Sequence, residues 1–226
     1  MKFECISCKF RSFAVSTLDD DQLSLLTDNC LDVSFNKGDI IFKQGAFSLN
    51  IAYLKTGLVK LHMIGTTNQN QIIKLAKSPD YIGIPTTLGD KVNQYSATAI
   101  EDCSVCFIGI DTFKTLIETN KEFAYEIILK MCKNELANFQ NCFHKTQKNS
   151  RGLVADALLN FATNIYGKPE FILPLSRIEF AHLISSSREQ VCRVLSEFHK
   201  DNIINLKGKR IEILDKNRLL KIAQRG

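Results

Sequence analysis

Residues 175–200 read Leu-Ser-Arg-Ile-Glu-Phe-Ala-His-Leu-Ile-Ser-Ser-Ser-Arg-Glu-Gln-Val-Cys-Arg-Val-Leu-Ser-Glu-Phe-His-Lys, and this stretch decides the fold of the C-terminal third. Ser176 suits a helix N-cap, and Glu179 three residues later completes the spacing of a capping box. Phe180, Leu183 and Ile184 supply a buried face, while Ala181 is small enough for a close helix crossing. Ser185, Ser186 and Ser187 then make a turn, with Ser187 able to cap a second helix that buries Val191, Val194, Leu195 and Phe198. Two helices so joined form a helix-turn-helix, whose second helix points Arg188, Glu189, Gln190 and Arg193 outward from its first turns.

The next stretch, Ile203 to Ile213, reads as a β-hairpin with Gly208 at its tip and Lys207, Lys209 and Arg210 crowded around it. Arg can donate two hydrogen bonds to guanine O6 and N7, and Glu can accept from cytosine N4. Side chains at helix caps and on a basic hairpin suit phosphates instead. Ser176, Ser187, Gln190, Lys207, Lys209 and Arg210 are therefore expected on the sugar–phosphate backbone of double-stranded DNA.

Charge supports that partner. The whole chain of 226 residues has net charge +5. Residues 1–150 balance 16 Lys+Arg against 16 Asp+Glu, whereas residues 151–226 hold 13 against 8, so all the excess lies in the last third. A cationic module on a neutral body suggests a polyanion. With 45% apolar and 23% charged residues the chain reads as globular, and no apolar run reaches the roughly 20 residues that span a bilayer. The first residues, Met-Lys-Phe-Glu-Cys-Ile-Ser-Cys, lack the apolar core of an export signal, so a cytoplasmic location with reduced thiols is expected for the 8 cysteines.

Residues 17–28 read as a short helix with Leu18, Leu25 and Leu26 on its apolar side, Leu23 at the edge, and Asp19, Asp20 and Asp21 at its start. From Val33 to about Ile110, short β-rich runs (40–42, 51–54, 58–63, 71–75, 95–99 and 104–108) alternate with glycines, the texture of an antiparallel roll. Helical periodicity returns after Asp111. From Ile128 the positions Cys132, Leu136, Phe139, Phe143 and Thr146 follow steps of four and three, a seam suited to a second copy of the same helix; packing onto the chain's own roll is the alternative. Residues 151–166 continue as a helix stopped by Gly167 and Pro169. The expected fold is α+β: residues 1–150 an N-terminal antiparallel β-roll (jelly roll) with a long dimerisation helix, residues 151–226 a winged helix-turn-helix.

Over nearly its whole length the chain resembles the Crp–Fnr family of bacterial transcription regulators. The matching blocks are Lys37 to Gly45 with Leu54 to Lys60, the long connecting helix, and Ser187 to Arg193 with its Ser-Arg-Glu-x-Val-x-Arg pattern. The resemblance implies a homodimer on an inverted-repeat operator, RNA polymerase as a further partner, and Arg188, Glu189 and Arg193 as base readers of TGTGA-like half-sites. The turn departs from the family, which usually has Gly where this chain has Ser185.

Cyclic-nucleotide-binding members carry a Gly-Glu pair for the ribose and an Arg-Ser pair for the phosphate. Here those stretches read Gly83-Ile84-Pro85 and Gln94-Tyr95-Ser96, so cyclic AMP is not expected. Cys5 and Cys8 with Cys106 resemble part of the cluster-ligating set of the oxygen-sensing branch, whose third N-terminal cysteine would fall near Ala14 and is absent; Cys30 and Cys103 are the substitutes to consider. An iron–sulfur cluster, haem on His62, Met63 or His144, and no cofactor at all stay open. The competing reading, a cupin-like jelly-roll metalloenzyme, needs a His and carboxylate cluster in the barrel, and between residues 33 and 110 only His62 is present. A thiol oxidoreductase at Cys5 and Cys8 lacks the βαβ context of that motif. No enzymatic activity is expected.

Overall fold

The computed structural model describes residues 8–66 and 70–226. Packing divides the chain into two compact units that part between Leu136 and Ala137, inside the long helix, where the sequence reading places a boundary at 150.

The first unit is a roll of two four-stranded sheets. One orders β1 (Cys30–Phe35), β8 (Cys103–Gly109), β3 (Asn50–Thr56) and β6 (Asp80–Ile82). The other orders β2 (Ile40–Phe42), β7 (Ser96–Ala99), β4 (Leu58–Ile64) and β5 (Asn70–Lys77). Antiparallel registers such as Tyr53 opposite Cys106 and Leu61 opposite Ala97 fix which side chains share a face. Ala52, Leu54, Val59, Leu61, Ile82, Ala97, Ala99 and Val105 fill the interior between the sheets. Gly57 turns β3 into β4 at φ +92°, and a Cβ there would stand 2.6 Å from that of Cys103, so only glycine fits.

The outer face of the first sheet is equally apolar and is covered by helices. Ile51, Tyr53, Tyr81 and Ile108 meet α1 (Phe13–Ser16), α2 (Asp20–Asp28), α4 (Ile110–Thr119) and the start of α5 (Lys121–Gln147). The short α3 (Ile84–Gly89) follows β6. In α2 the Asp19 carboxylate accepts the Gln22 N–H at 2.8 Å and completes a capping box. Its core residues are Leu23 and Leu26, while Leu25 is exposed; the sequence reading had Leu23 and Leu25 the wrong way round.

Helix α5 changes character along its length. Phe123 and Ile127 are buried in the roll's helical layer, whereas Ile128, Leu136, Phe139 and Phe143 are 56–63% exposed.

The second unit continues with α6 (Ser150–Asn160), running into a π-turn at Phe161–Ile165, then β9 (Glu170–Ile172), α7 (Arg177–Ile184), α8 (Arg188–Lys200), β10 (Ile204–Lys207), β11 (Arg210–Ile213) and α9 (Lys216–Arg225). The wing is a three-stranded sheet ordered β10, β11, β9, one strand more than the hairpin read from sequence. Stacked rings of Phe161, Phe171 and Phe180 join β9 to the helices, and Leu219 and Ala223 seat α9 in the core.

Candidate nucleic-acid interface

The helix-turn-helix forms because its caps are local. The Ser176 hydroxyl accepts the Glu179 N–H at 3.2 Å and the Glu179 carboxylate accepts the Ser176 N–H at 2.8 Å, which satisfies two of the donors a helix start leaves open. Helix α7 ends on Ser185 at φ 56° and ψ 47°, the left-handed position expected to favour glycine. The Ser186 N–H closes back on the Ala181 carbonyl at 3.0 Å and holds the turn. Phe180, Ala181 and Ile184 are buried as expected; Leu183 is only half-buried, because the crossing uses Ala181 instead. On α8, Val191, Val194, Leu195 and Phe198 are buried. Arg151 of α6 braces that helix from behind, with its guanidinium 5.0 Å from the Phe198 ring centre and 2.7 Å from Glu197.

Arg188, Glu189 and Arg193 are exposed on the first turns of α8. The Ser187 hydroxyl accepts the Gln190 N–H at 3.2 Å and bonds to the Glu189 carboxylate. That carboxylate also takes its own backbone N–H, and both bonds hold its pKa below the usual range. Arg193 donates to the Gln190 side-chain carbonyl and lies 3.9 Å from Glu197. Ser176, Ser187 and Gln190, expected on the DNA backbone, thus have structural duties: Ser176 and Ser187 cap helices, and Gln190 orients Arg193. Lys207 and Lys209 stand exposed at the wing tip, while Arg210 is tied to Glu170 of β9.

In the roll, Gly83 precedes α3 at φ +89° and donates its N–H to the Tyr95 hydroxyl at 3.2 Å. The Tyr95 ring tilts against Phe42 with centroids 5.8 Å apart, and burial pushes its phenol pKa upward. Ser96 accepts the Gln44 N–H at 3.0 Å, Gln94 donates to Asp90, and Ile84 is buried.

Two domain families match this architecture: residues 32–120 match a cyclic nucleotide-binding domain, and residues 154–222 match a Crp-like helix-turn-helix domain. The chain belongs to the Crp–Fnr family of transcription regulators.

The fumarate and nitrate reduction regulatory protein of Vibrio cholerae is 25% identical over 97% of this chain and 90% of its own length. Two solved structures share the fold at 19% identity: FixK2 from Bradyrhizobium japonicum, with TM-score 0.77 over 85% of this chain and 96% of that one, and a Crp/Fnr-family regulator of Eubacterium rectale, with TM-score 0.78 over 94% and 98%. This Crp–Fnr chain is a DNA-binding transcription regulator and not an enzyme. Among the described residues no helix is long and apolar enough to cross a membrane.

Of the three thiols that the resemblance groups together, two lie among the described residues. Cys5 lies outside the described residues. Cys8 and Cys106, both half-buried, lie close enough to Tyr53 to act on its phenol; burial, then Cys8, Asp80 and Cys106, push that pKa to about 12. Cys103 faces the roll interior, opposite to Cys106, and burial raises its thiol to about 11, so it is no substitute ligand. The Cys30 thiol turns to the Thr27 carbonyl at 3.7 Å. Among the described residues no three His, Cys, Asp or Glu side chains converge to hold a metal ion, and a cluster needs four thiolates. His62 is bonded to Thr98 at 2.9 Å and His144 lies 3.8 Å from Asp156.

Proposed function

We propose that the protein is a homodimeric regulator that reads an inverted-repeat operator with Arg188, Glu189 and Arg193 and steadies itself on phosphates with Lys207 and Lys209. One observation carries the reading: three readers of complementary hydrogen-bonding type stand exposed on the first turns of a helix whose opposite face is fully buried. Dimerisation is supported by the distal half of α5, where Leu136, Phe139 and Phe143 are each more than 60% exposed at seam spacing, with Cys132 exposed on the same stripe. The partner at the promoter is, by family, RNA polymerase. Cyclic AMP is not the effector: Ile84 stands in place of the acid, no arginine follows Gln94, and the Gly83 N–H is already bonded to Tyr95. Selection of binding sites from random DNA tests the reading. The expected product is an inverted repeat with half-sites about one helical turn apart, altered by Arg188→Ala and Arg193→Ala; an unchanged half-site in both variants would sink it.

A further inference from the structure

Arg177, the first residue of α7, stands out in the second unit. Its Nη2 donates to the Gly208 carbonyl at the wing tip at 2.7 Å. Its Nη1 is buried and has no hydrogen-bond partner, the one such side-chain nitrogen or oxygen among the described residues. No carboxylate lies within ion-pair distance of it among those residues, and burial lowers its pKa from the usual guanidinium value. A half-buried charge without a counter-ion lowers stability. A neutral donor would hold the tip carbonyl without that cost, so stability alone does not account for an arginine here.

The wing explains it. Gly208 takes φ +60° at the first of two loop positions, the pattern of a II′ hairpin turn. The next carbonyl, that of Lys209, accepts the Leu173 N–H at 2.8 Å from the strand-to-helix connection. Two successive tip carbonyls are thus anchored to the segment leading into α7, one by backbone and one by Arg177. The two exposed lysines flank the Gly208 carbonyl that Arg177 holds.

We propose that Arg177 is a positioning residue for DNA binding: it ties the wing tip to the start of the helix-turn-helix, so that Lys207 and Lys209 meet phosphates in the register that α8 requires. The proposal rests on the DNA-binding reading above. The anionic duplex supplies the compensating field that the free protein lacks, so the clamp tightens on DNA.

The test measures the full-length protein on its selected operator and on random duplex across a salt series, for wild type, Arg177→Lys, Lys207→Ala and the double variant. Lysine keeps the charge but not the planar fork. Arg177→Lys should weaken binding to both duplexes by about tenfold and leave the preferred half-site unchanged. It should also speed amide exchange at residues 206–210, and in its background Lys207→Ala should lose most of its effect. Additive effects of the two substitutions, or unchanged exchange at the tip, would overturn the proposal; Arg177→Met, which keeps the apolar stem but has no donor for the Gly208 carbonyl, serves as the same test if the lysine variant folds poorly. Failure of the wild-type protein to bind either duplex would instead overturn the DNA-binding reading itself.

Discussion

At the mouth of α3 in the roll, the free N–H of Gly83 is met from within by Tyr95, whose ring is backed by Phe42. At the mouth of α8, Arg188, Glu189 and Arg193 face outward, held by caps and by Gln190 rather than covered. Both are helix starts, where unsatisfied donors attract polar or anionic partners. The roll has met that demand with its own side chain, whereas the helix-turn-helix leaves Arg188, Glu189 and Arg193 exposed. The difference teaches that in this chain the roll's residues act by burial and the C-terminal unit's by exposure. Substitutions in the two places should therefore be read by different instruments.

The sharpest contrast comes from the roll's packing. Phe113 is fully buried against Tyr81 and Phe123, with ring centroids 6.1 and 5.5 Å away. Phe113→Ala should lower stability by about 3–5 kcal/mol in thermal or urea denaturation, with the selected half-site unaltered. A loss under about 1 kcal/mol would show that the helices lie loosely on the sheet.

Next is the α5 stripe, an exposed apolar surface that the proposed dimer would turn into a core. Phe139→Glu sets two like charges in an apolar stripe, and the dimer dissociation constant should rise at least about a hundredfold. Sedimentation at micromolar concentration measures it, and an intact dimer would move the interface elsewhere.

Burial in the roll also predicts alkaline sensitivity. The folded Cys103 thiol titrates at about 11, above its ordinary 9.0, so the folded state holds the proton after the unfolded chain has released it. That contribution is complete below the ordinary thiol value and is lost as pH rises toward 11; Tyr53 extends the loss toward 12. Urea midpoints followed by circular dichroism should fall across this range, and Cys103→Ala should flatten its lower part. A midpoint that rises with pH there would contradict the buried placement.

Exposed readers give smaller effects of another kind. Arg188→Ala should cost roughly 1–3 kcal/mol on the selected operator and little on random duplex, with no change in melting. The smallest expected effect belongs to Lys207→Ala. It should weaken both duplexes about equally and lower the salt slope by about one counterion. If it changed the half-site instead, helix and wing would have been assigned the wrong way round.

What was legible in the chain was mostly local. Ser176 with Glu179, and Ser187, announce their helices because a cap and its N–H lie within one turn of each other. The glycine-bounded runs located six of the roll's strands, since turns with positive φ need glycine and Gly38, Gly45 and Gly57 all adopt it. Other elements passed unread. Strand β9 is three residues long with Ile172 67% exposed, and it is a strand only because β11 pairs with it. Helix α9 buries just Leu219 and Ala223, too narrow a stripe to stand out among basic residues. The sides of two thiols are legible as well: Cys103 and Cys106 lie three apart on a strand, and a period of two places them on opposite faces.

The sequence by itself determined the helix-turn-helix, the outward placing of Arg188, Glu189 and Arg193, the apolar stripe on α5 and the presence of Ile84 and Tyr95 where an acid and an arginine would be needed, because each depends on residue type and short-range periodicity. Only the tertiary structure decided that Arg210 is neutralised by Glu170 and that Arg177 holds the Gly208 carbonyl. It also decided that Tyr95 occupies the Gly83 N–H and that the thiols disperse over both faces of β8. Those partners are 12 to 40 positions apart in the chain. A long side chain finds a partner at such a distance only after strands and helices have been brought together, and no local pattern encodes which of several acceptors it will meet.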